Sequence, residues 1–354
     1  LLVWLSNMDG SELYMRRALQ LARLGQGLVA PNPMVGCVLV HPERGIIGEG
    51  WHRAYGGPHA EVWALASVVE REYIPESTAF VSLEPCSHFG KTPPCADLLV
   101  AEGVRKVVVC HADPHALVSG RGLKKLEAAG VETETGLMKA EGLDMNRVFI
   151  HAQKEKRPWI TLKWAMTADG FVAKKANTPA EITQFPARVD VHRQRSLHQA
   201  ILVGKGTLLS DNPLLNVRLW TGKQPIRLIL DPQGNLPVNL NVFQDAGSPT
   251  WVLGPRKDLS GPELKIIQGL NFNPYDPKAL ATWLCEQGIN SLYVEGGPKV
   301  QNRFLDSGMW DEIHIYQAPL NFGDGVQAPQ LPAYARLQSG MKMGDDQFWL
   351  YQKL

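Results

Sequence analysis

Apolar positions in the first part of the chain alternate between a helical and a two-residue period. Residues 11–25 (SELYMRRALQLARLG) carry the amphipathic spacing of a helix, with Ser11 as its cap and Gly25 at its end. Val35 to Val40 is an apolar strand, and Ile46 to Gly50 reads as its partner. The Ala-, Leu- and Val-rich stretch from Ala60 to Val69 predicts a buried helix. Ala79 to Leu83 predicts a short strand running straight into Glu84-Pro85-Cys86. Cys95 to Gly103 then reads as a helix, Lys106 to Cys110 as a strand, Gly122 to Gly130 as a helix, and Val131 to Thr135 as a further strand. This alternation predicts an α/β sandwich around a mixed sheet.

Residues 151–158 (HAQKEKRP) are charged and end in proline, which predicts a linker into which the preceding helix can run. A second α/β unit follows. Its expected strands are Trp159 to Trp164, Ala200 to Val203, Ile226 to Leu230, Thr250 to Leu253, Ser291 to Val294 and Glu312 to Gln317, with a helix over Pro298 to Gly308. The expected domains are 11–150 and 157–354. A chain of 354 residues is long for a single core, which agrees with two.

Composition narrows the function. Hydrophobic residues at 44% and charged residues at 20% fit globular domains. A formal net charge of +1 lacks the basic footprint of a nucleic-acid binder. No run of eighteen or more apolar residues predicts a membrane span. The five cysteines, Cys37, Cys86, Cys95, Cys110 and Cys285, are too few and too scattered for a disulfide framework, so a reducing cytoplasm is expected. There, cysteines near His and Glu read as metal ligands or nucleophiles.

Pro58-His59-Ala60-Glu61, followed by Glu84-Pro85-Cys86 and Pro94-Cys95, is the strongest chemical signal. One imidazole and two thiolates make the three-ligand set of a catalytic zinc, whose fourth position is left for water. The metal brings the pKa of that water towards neutrality. Glu61, two residues after His59, can carry protons without being a ligand. His-x-Glu with Pro-Cys is the signature of zinc-dependent base deaminases. Two other readings stay open here. A structural zinc would need a fourth ligand, for which His88 and His52 are available. A deaminase of bases in RNA would use the second half as a binding module, although the charge balance speaks against it. In the deaminase signature two residues separate the cysteines; here eight residues, Ser87 to Pro94, lie between Cys86 and Cys95, and His88 and Lys91 are among them.

The chain resembles the bacterial bifunctional deaminase/reductase family of riboflavin biosynthesis. The matching segments are Ala30-Pro-Asn-Pro-Met-Val-Gly-Cys37, Gly48-Glu-Gly-Trp-His52, Gly57-Pro-His-Ala-Glu61 and Leu83-Glu-Pro-Cys-Ser-His-Phe-Gly-Lys-Thr-Pro-Pro-Cys95. Further matches are Asp113-Pro114, Gly120-Arg-Gly122, Asp169-Gly170, Ala200-Ile-Leu-Val-Gly-Lys-Gly-Thr207, Asp211-Asn-Pro213 and Val294-Glu-Gly-Gly-Pro298. The resemblance covers roughly residues 12–354, essentially the whole chain. The resemblance implies a cytidine-deaminase-like three-layer N-terminal domain and a dihydrofolate-reductase-like C-terminal domain. It implies deamination of a diaminopyrimidinone bearing a phosphoribosylamino group, then NADPH-dependent reduction of the ribosyl group to ribityl. It also implies a homo-oligomer.

Carried onto this chain, the resemblance makes His59, Cys86 and Cys95 the Zn2+ ligands and Glu61 the proton shuttle. Asn32, His52, His88 and Lys91 become substrate contacts of the deaminase. Lys163, Arg195, Leu215, Arg218 and Glu295 become substrate contacts of the reductase. Ala165, Thr207, Asp211, Gly297, Pro298 and Lys299 become NADPH contacts. From the residues alone, Gly204-Lys-Gly-Thr207 and Glu295-Gly296-Gly297 each follow an apolar strand, where backbone N–H groups can approach a phosphate. Lys163, Arg195 and Arg218 are cations able to neutralise a substrate phosphate. No full G-x-G-x-x-G lies on a strand-to-helix turn, so a Rossmann fold is not expected. Departures from the family pattern fall at Pro179, Glu181 and Pro232, and the loop from Lys174 to Glu181 is shortened.

Overall fold

The computed structural model describes residues 10–87, 93–113, 120–175, 178 and 180–353. Two compact units divide the chain, Leu1–Glu155 and Lys156–Leu354.

In the first unit, helix α1 (Gly10–Arg23) precedes the hairpin β1 (Gly36–His41) and β2 (Gly45–Trp51). Then come α2 (Ala60–Ala66), β3 (Thr78–Val81), α3 (Cys95–Ala101), β4 (Lys106–Val109), α4 (Arg121–Ala128) and β5 (Glu132–Thr135). Helices α5 (Lys139–Met145) and α6 (Arg147–Glu155) close the unit. The sheet order is β2-β1-β3-β4-β5. β1 runs antiparallel to β2 and β3, while β3, β4 and β5 are mutually parallel neighbours.

Side-chain alternation along β1 builds three layers. Cys37 and Leu39 face a core with Ala60, Ala64 and Leu65 of α2, Leu99 of α3 and Leu126 of α4. Val38 and Val40 face the opposite core with Met15, Ala18, Leu19 and Ala22 of α1 and Met145 of α5. The expected mixed-sheet sandwich is the architecture found. The helix before the charged stretch runs into it as far as Glu155, where Ile150 and Ala152 are buried.

The second unit has a nine-stranded sheet in the order β11-β10-β9-β8-β12-β6-β13-β16-β15. The central strands are β6 (Trp159–Thr167), β8 (Ala200–Val203), β9 (Ile226–Leu230), β10 (Thr250–Leu253), β11 (Leu264–Ile267), β12 (Ser291–Val294) and β13 (Glu312–Ala318). All seven pair in parallel. β16 (Asp346–Lys353) and β15 (Ala335–Met343) add an antiparallel edge. A small separate pair joins β7 (Phe171–Ala173) to β14 (Val326–Gln327).

The helices longer than one turn are α7 (Phe185–Leu197), α8 (Lys205–Asp211), α9 (Pro277–Glu286) and α10 (Pro298–Asp306). Leu202 and Leu292 face a core holding Leu280 and Leu284 of α9 and Phe304 of α10. Ile201, Val203 and Tyr293 face the other side with Leu208 of α8. Two covered faces explain why β8 and β12 are fully buried and apolar throughout or nearly so. No helix among the described residues is long and apolar enough to cross a membrane.

β12 is inserted between β6 and β8, so the chain order reverses there. In parallel sheets the crevice at such a switch point, outside the carboxyl ends of the strands, is where ligands bind.

Candidate active sites

His59 has an extended backbone (φ −75°, ψ 171°) and immediately precedes α2, which puts Glu61 in the first helical turn. Cys95 opens α3 behind Pro94. Cys86 is drawn to that helix start. Its carbonyl accepts the Ala96 N–H at 3.1 Å, and its sulfur accepts the Cys95 N–H at 3.3 Å. Two helix starts and one loop thereby converge. The Cys95 and Cys86 sulfurs lie 3.3 and 3.6 Å from His59 Nδ1, and all three ligand atoms are within 4.8 Å of one another.

A tetrahedral zinc spaces its N and S ligand atoms by about 3.5–3.8 Å, so this donor set fits zinc. Among the described residues no fourth His, Cys, Asp or Glu joins the cluster. Hydrogen bonding from Cys95, and then from His59, holds the Cys86 thiol well below its ordinary range, at about 4. Glu61 is 2% exposed, and burial pushes its carboxyl up. Its Oε2 is buried without a hydrogen-bond partner. An orphaned carboxylate oxygen next to three metal-ligating atoms calls for a water or a substrate group.

The predicted substrate contacts Asn32 and His52 meet in the structure. Asn32 Nδ2 donates to His52 Nε2 at 3.3 Å, and His52 Nδ1 donates to the Pro58 carbonyl at 3.0 Å. The His52 ring stands edge-on to His59 with centroids 5.5 Å apart. With both nitrogens engaged, His52 is not a fourth metal ligand. His88 and Lys91 lie outside the described residues. The buried Glu84 carboxylate accepts N–H groups from Asp113 (3.1 Å), Gly120 (2.9 Å) and Gly122 (3.0 Å), tying that segment to the Cys86 loop.

In the second unit, Glu295 follows β12 directly and its side chain is 6% exposed. Arg195 of α7 donates to it through Nε at 2.6 Å and Nη2 at 2.8 Å, a two-pronged ion pair. Lys163 of β6 stands 4.0 Å from the same carboxylate. Burial pulls the Lys163 ammonium below its ordinary range, with Glu295 opposing. Arg218 has its guanidinium lowered by burial and by the like charges of Arg195 and Arg188. It donates to Asn216 Oδ1 at 3.0 Å, a neutral partner that leaves its charge uncancelled.

The carboxyl ends of β8 and β12 meet in a glycine cradle. A Cβ on Gly204 would stand 2.6 Å from Val300, and one on Gly297 3.2 Å from the Thr207 hydroxyl oxygen. Gly297, Pro298 and Lys299 start α10, and Thr207 and Asp211 lie on α8. Two helix starts with room for close backbone approach suit the phosphates of a dinucleotide. Ala165 lies two residues beyond Lys163 on β6 and pairs with Tyr316 of β13.

Leu215 has a left-handed backbone (φ 53°), and its side chain is in the core, 2% exposed. Its side chain packs into the core with Ile201, Val203 and Leu208. Of the departures from the family pattern, Pro179 lies outside the described residues, while Glu181 is exposed and pairs with Arg188 at 3.5 Å. Pro232 follows the buried Asp231, which accepts from Arg256 at 2.6 Å.

Sequence reasoning missed several members of these sites. Tyr316 donates to Asp190 Oδ2 at 2.7 Å, 126 positions away. His192 Nδ1 accepts the Arg218 N–H at 3.2 Å, and the neighbouring Arg195 and Arg218 charges add to burial in pulling its imidazole down to about 4. Glu84 stood inside a quoted motif, but nothing in the sequence names its backbone partners.

The comparisons with known proteins agree with this geometry. Residues 8–111 match the family model of the cytidine and deoxycytidylate deaminase zinc-binding region, and residues 158–349 match the RibD C-terminal domain. The riboflavin biosynthesis protein RibD of Bacillus amyloliquefaciens is 40% identical over 93% of this chain and 89% of its own length. That of Escherichia coli is 38% identical over 89% of each. The solved structure of the Thermotoga maritima diaminohydroxyphosphoribosylaminopyrimidine deaminase/5-amino-6-(5-phosphoribosylamino)uracil reductase is 33% identical, with a TM-score of 0.87 over 97% of this chain and 99% of that one. With a zinc-binding deaminase unit, a parallel-sheet reductase unit and these relatives along nearly its whole length, the chain belongs to the RibD family of riboflavin biosynthesis proteins.

Proposed function

We propose that the first unit deaminates a diaminopyrimidinone bearing a phosphoribosylamino group, and that the second reduces the ribosyl group of the product to ribityl with NADPH. The observation that carries this reading is the convergence of His59, Cys86 and Cys95 beside the unpartnered Oε2 of Glu61.

Deamination exchanges an amino group on an amidine-like ring carbon for an oxygen from water and releases ammonia. A zinc ion held by the three ligands supplies the Lewis acidity that makes water a nucleophile near neutral pH. Glu61 moves the protons. It takes one from the attacking water, loads the ring nitrogen and then the departing amine. Asn32 and His52 orient the pyrimidine, and the family resemblance adds His88 and Lys91 as substrate contacts.

In the second unit, Arg195, Arg218 and Lys163 hold the phosphate and sugar, with Glu295 accepting from sugar hydroxyls. The family resemblance adds Leu215 to the same substrate contacts. Ala165, Thr207, Asp211 and the start of α10 at Gly297, Pro298 and Lys299 hold NADPH. Hydride transfer needs alignment and exclusion of water rather than a protein nucleophile. The exposed edge strand β15, with Leu337 and Met341 half exposed, supports assembly into a homo-oligomer. Five cysteines scattered along the chain, two of them metal ligands, support a cytoplasmic setting.

Stripping zinc with a chelator tests the division of labour. Ammonia release is expected to fall to background and to return with added Zn2+. Reduction of the deaminated intermediate by NADPH is expected to persist. Loss of both activities together would contradict two separate sites.

A further inference from the structure

Asn32 sits between two prolines, and proline has no backbone N–H. Pro31 and Pro33 thus withdraw two donors from the segment that must hold the Asn32 side chain still. The Asn32 N–H reaches only back to the Val29 carbonyl, at 3.0 Å. The forward anchor comes from 112 positions away. The Met34 N–H donates to Asn146 Oδ1 at 2.9 Å, and Asn146 Nδ2 donates to the Met34 carbonyl at 2.9 Å.

Asn146 is well placed for this. It is 2% exposed and sits at the seam of α5 and α6. Its own N–H bonds the Gly142 carbonyl at 3.1 Å, and its carbonyl accepts from Ile150 at 2.9 Å. The backbone is committed to the two helices, and the carboxamide is left for Met34. The seam itself is held tightly, since a Cβ on Gly142 would stand 2.4 Å from the Cys110 sulfur. From Met34 the frame continues to the metal centre. The next carbonyl, of Val35, accepts the His52 N–H at 2.9 Å, and His52 in turn bonds Asn32 and Pro58.

We propose that Asn146 is a positioning residue of the deaminase: a two-point amide clamp that fixes Asn32 and His52 against the pyrimidine. It touches no substrate itself. This rests on the reading of Asn32 as a substrate contact, so the test includes that residue.

The test compares Asn146→Asp and Asn32→Ala in the full-length, zinc-loaded protein. The aspartate keeps the size of the side chain and the acceptor for the Met34 N–H, but turns a carboxylate oxygen on the Met34 carbonyl. Deaminase KM is expected to rise about tenfold or more, with kcat within about threefold of wild type. Zinc content and reduction of the deaminated intermediate should not change. Asn32→Ala is expected to raise KM as well, and the double variant to cost little more than either alone. If Asn146→Asp does not fold, Asn146→Ser carries the same expectation. An unchanged KM in the Asn146 variant beside a raised KM in Asn32→Ala overturns the clamp alone. A fall in zinc content and kcat at constant KM overturns it too, in favour of a structural role. An unchanged KM in Asn32→Ala overturns the substrate-contact reading and the clamp with it.

Discussion

Glu61→Gln retains zinc and loses deamination, by about a thousandfold in kcat, within the range of 10²–10⁴ typical of a positioned acid–base group. The amide matches the carboxylate in size, so His59, Cys86 and Cys95 keep their places. It cannot take a proton from water or pass one to the ring. Glu61 lies in the first turn of α2, two residues from His59, and its Oε2 faces no protein partner. Removing its proton-carrying capacity therefore leaves the local hydrogen bonds largely intact. Ammonia release, zinc content and NADPH oxidation on the deaminated intermediate are the three readouts. Wild-type ammonia release from a zinc-replete variant would show that Glu61 is not the proton carrier.

The second large effect is expected at Arg195. Arg195→Ala abolishes reduction and lowers the stability of the second unit by about 3–5 kcal/mol, the usual cost of stranding a buried charge. Glu295 is the stranded group, with its side chain 6% exposed, and Lys163 at 4.0 Å compensates only in part. Lysine is not an adequate replacement, because the two-pronged contact through Nε and Nη2 uses the planar fork of arginine. Stability and function separate in the double variant Arg195→Met with Glu295→Met. Two apolar side chains of similar volume restore much of the lost stability. They restore no reduction if the pair holds the sugar and phosphate. Thermal unfolding and NADPH oxidation, measured on both variants, check this. Recovery of reduction in the double variant would make the ion pair structural only.

The metal centre was legible because its chemistry is local. Each ligand follows a proline, His59 and Cys95 stand at helix starts, and Glu61 is two residues from His59. The buried strands Ala200–Val203 and Ser291–Val294 were legible as short runs closed off from water on both faces. Helix Phe185–Leu197 was not. Its buried residues include His192, Gln194, Arg195 and Ser196, so beyond Ala187 and Val191 the apolar period breaks off. That same polarity makes it the helix that serves the second site. Strand β15 is exposed along almost its whole length and shows no alternation to read. Helix Pro277–Glu286 has its start marked in the sequence by Asp276 before Pro277, and Asp276 accepts the Lys278 N–H at 3.0 Å. Asn146 and the Tyr316–Asp190 pair could not be found at all, because their partners lie more than a hundred residues away.

The central claim is that one chain performs both steps in order. The direct measurement incubates the zinc-replete protein with the diaminopyrimidinone ribosyl phosphate, first without and then with NADPH. Ammonia is expected without the cofactor, followed by NADPH oxidation in equal amount to the ribityl product. Ammonia release with no NADPH consumption would contradict the assignment of the second unit, and no ammonia release from zinc-loaded protein would contradict the proposed substrate.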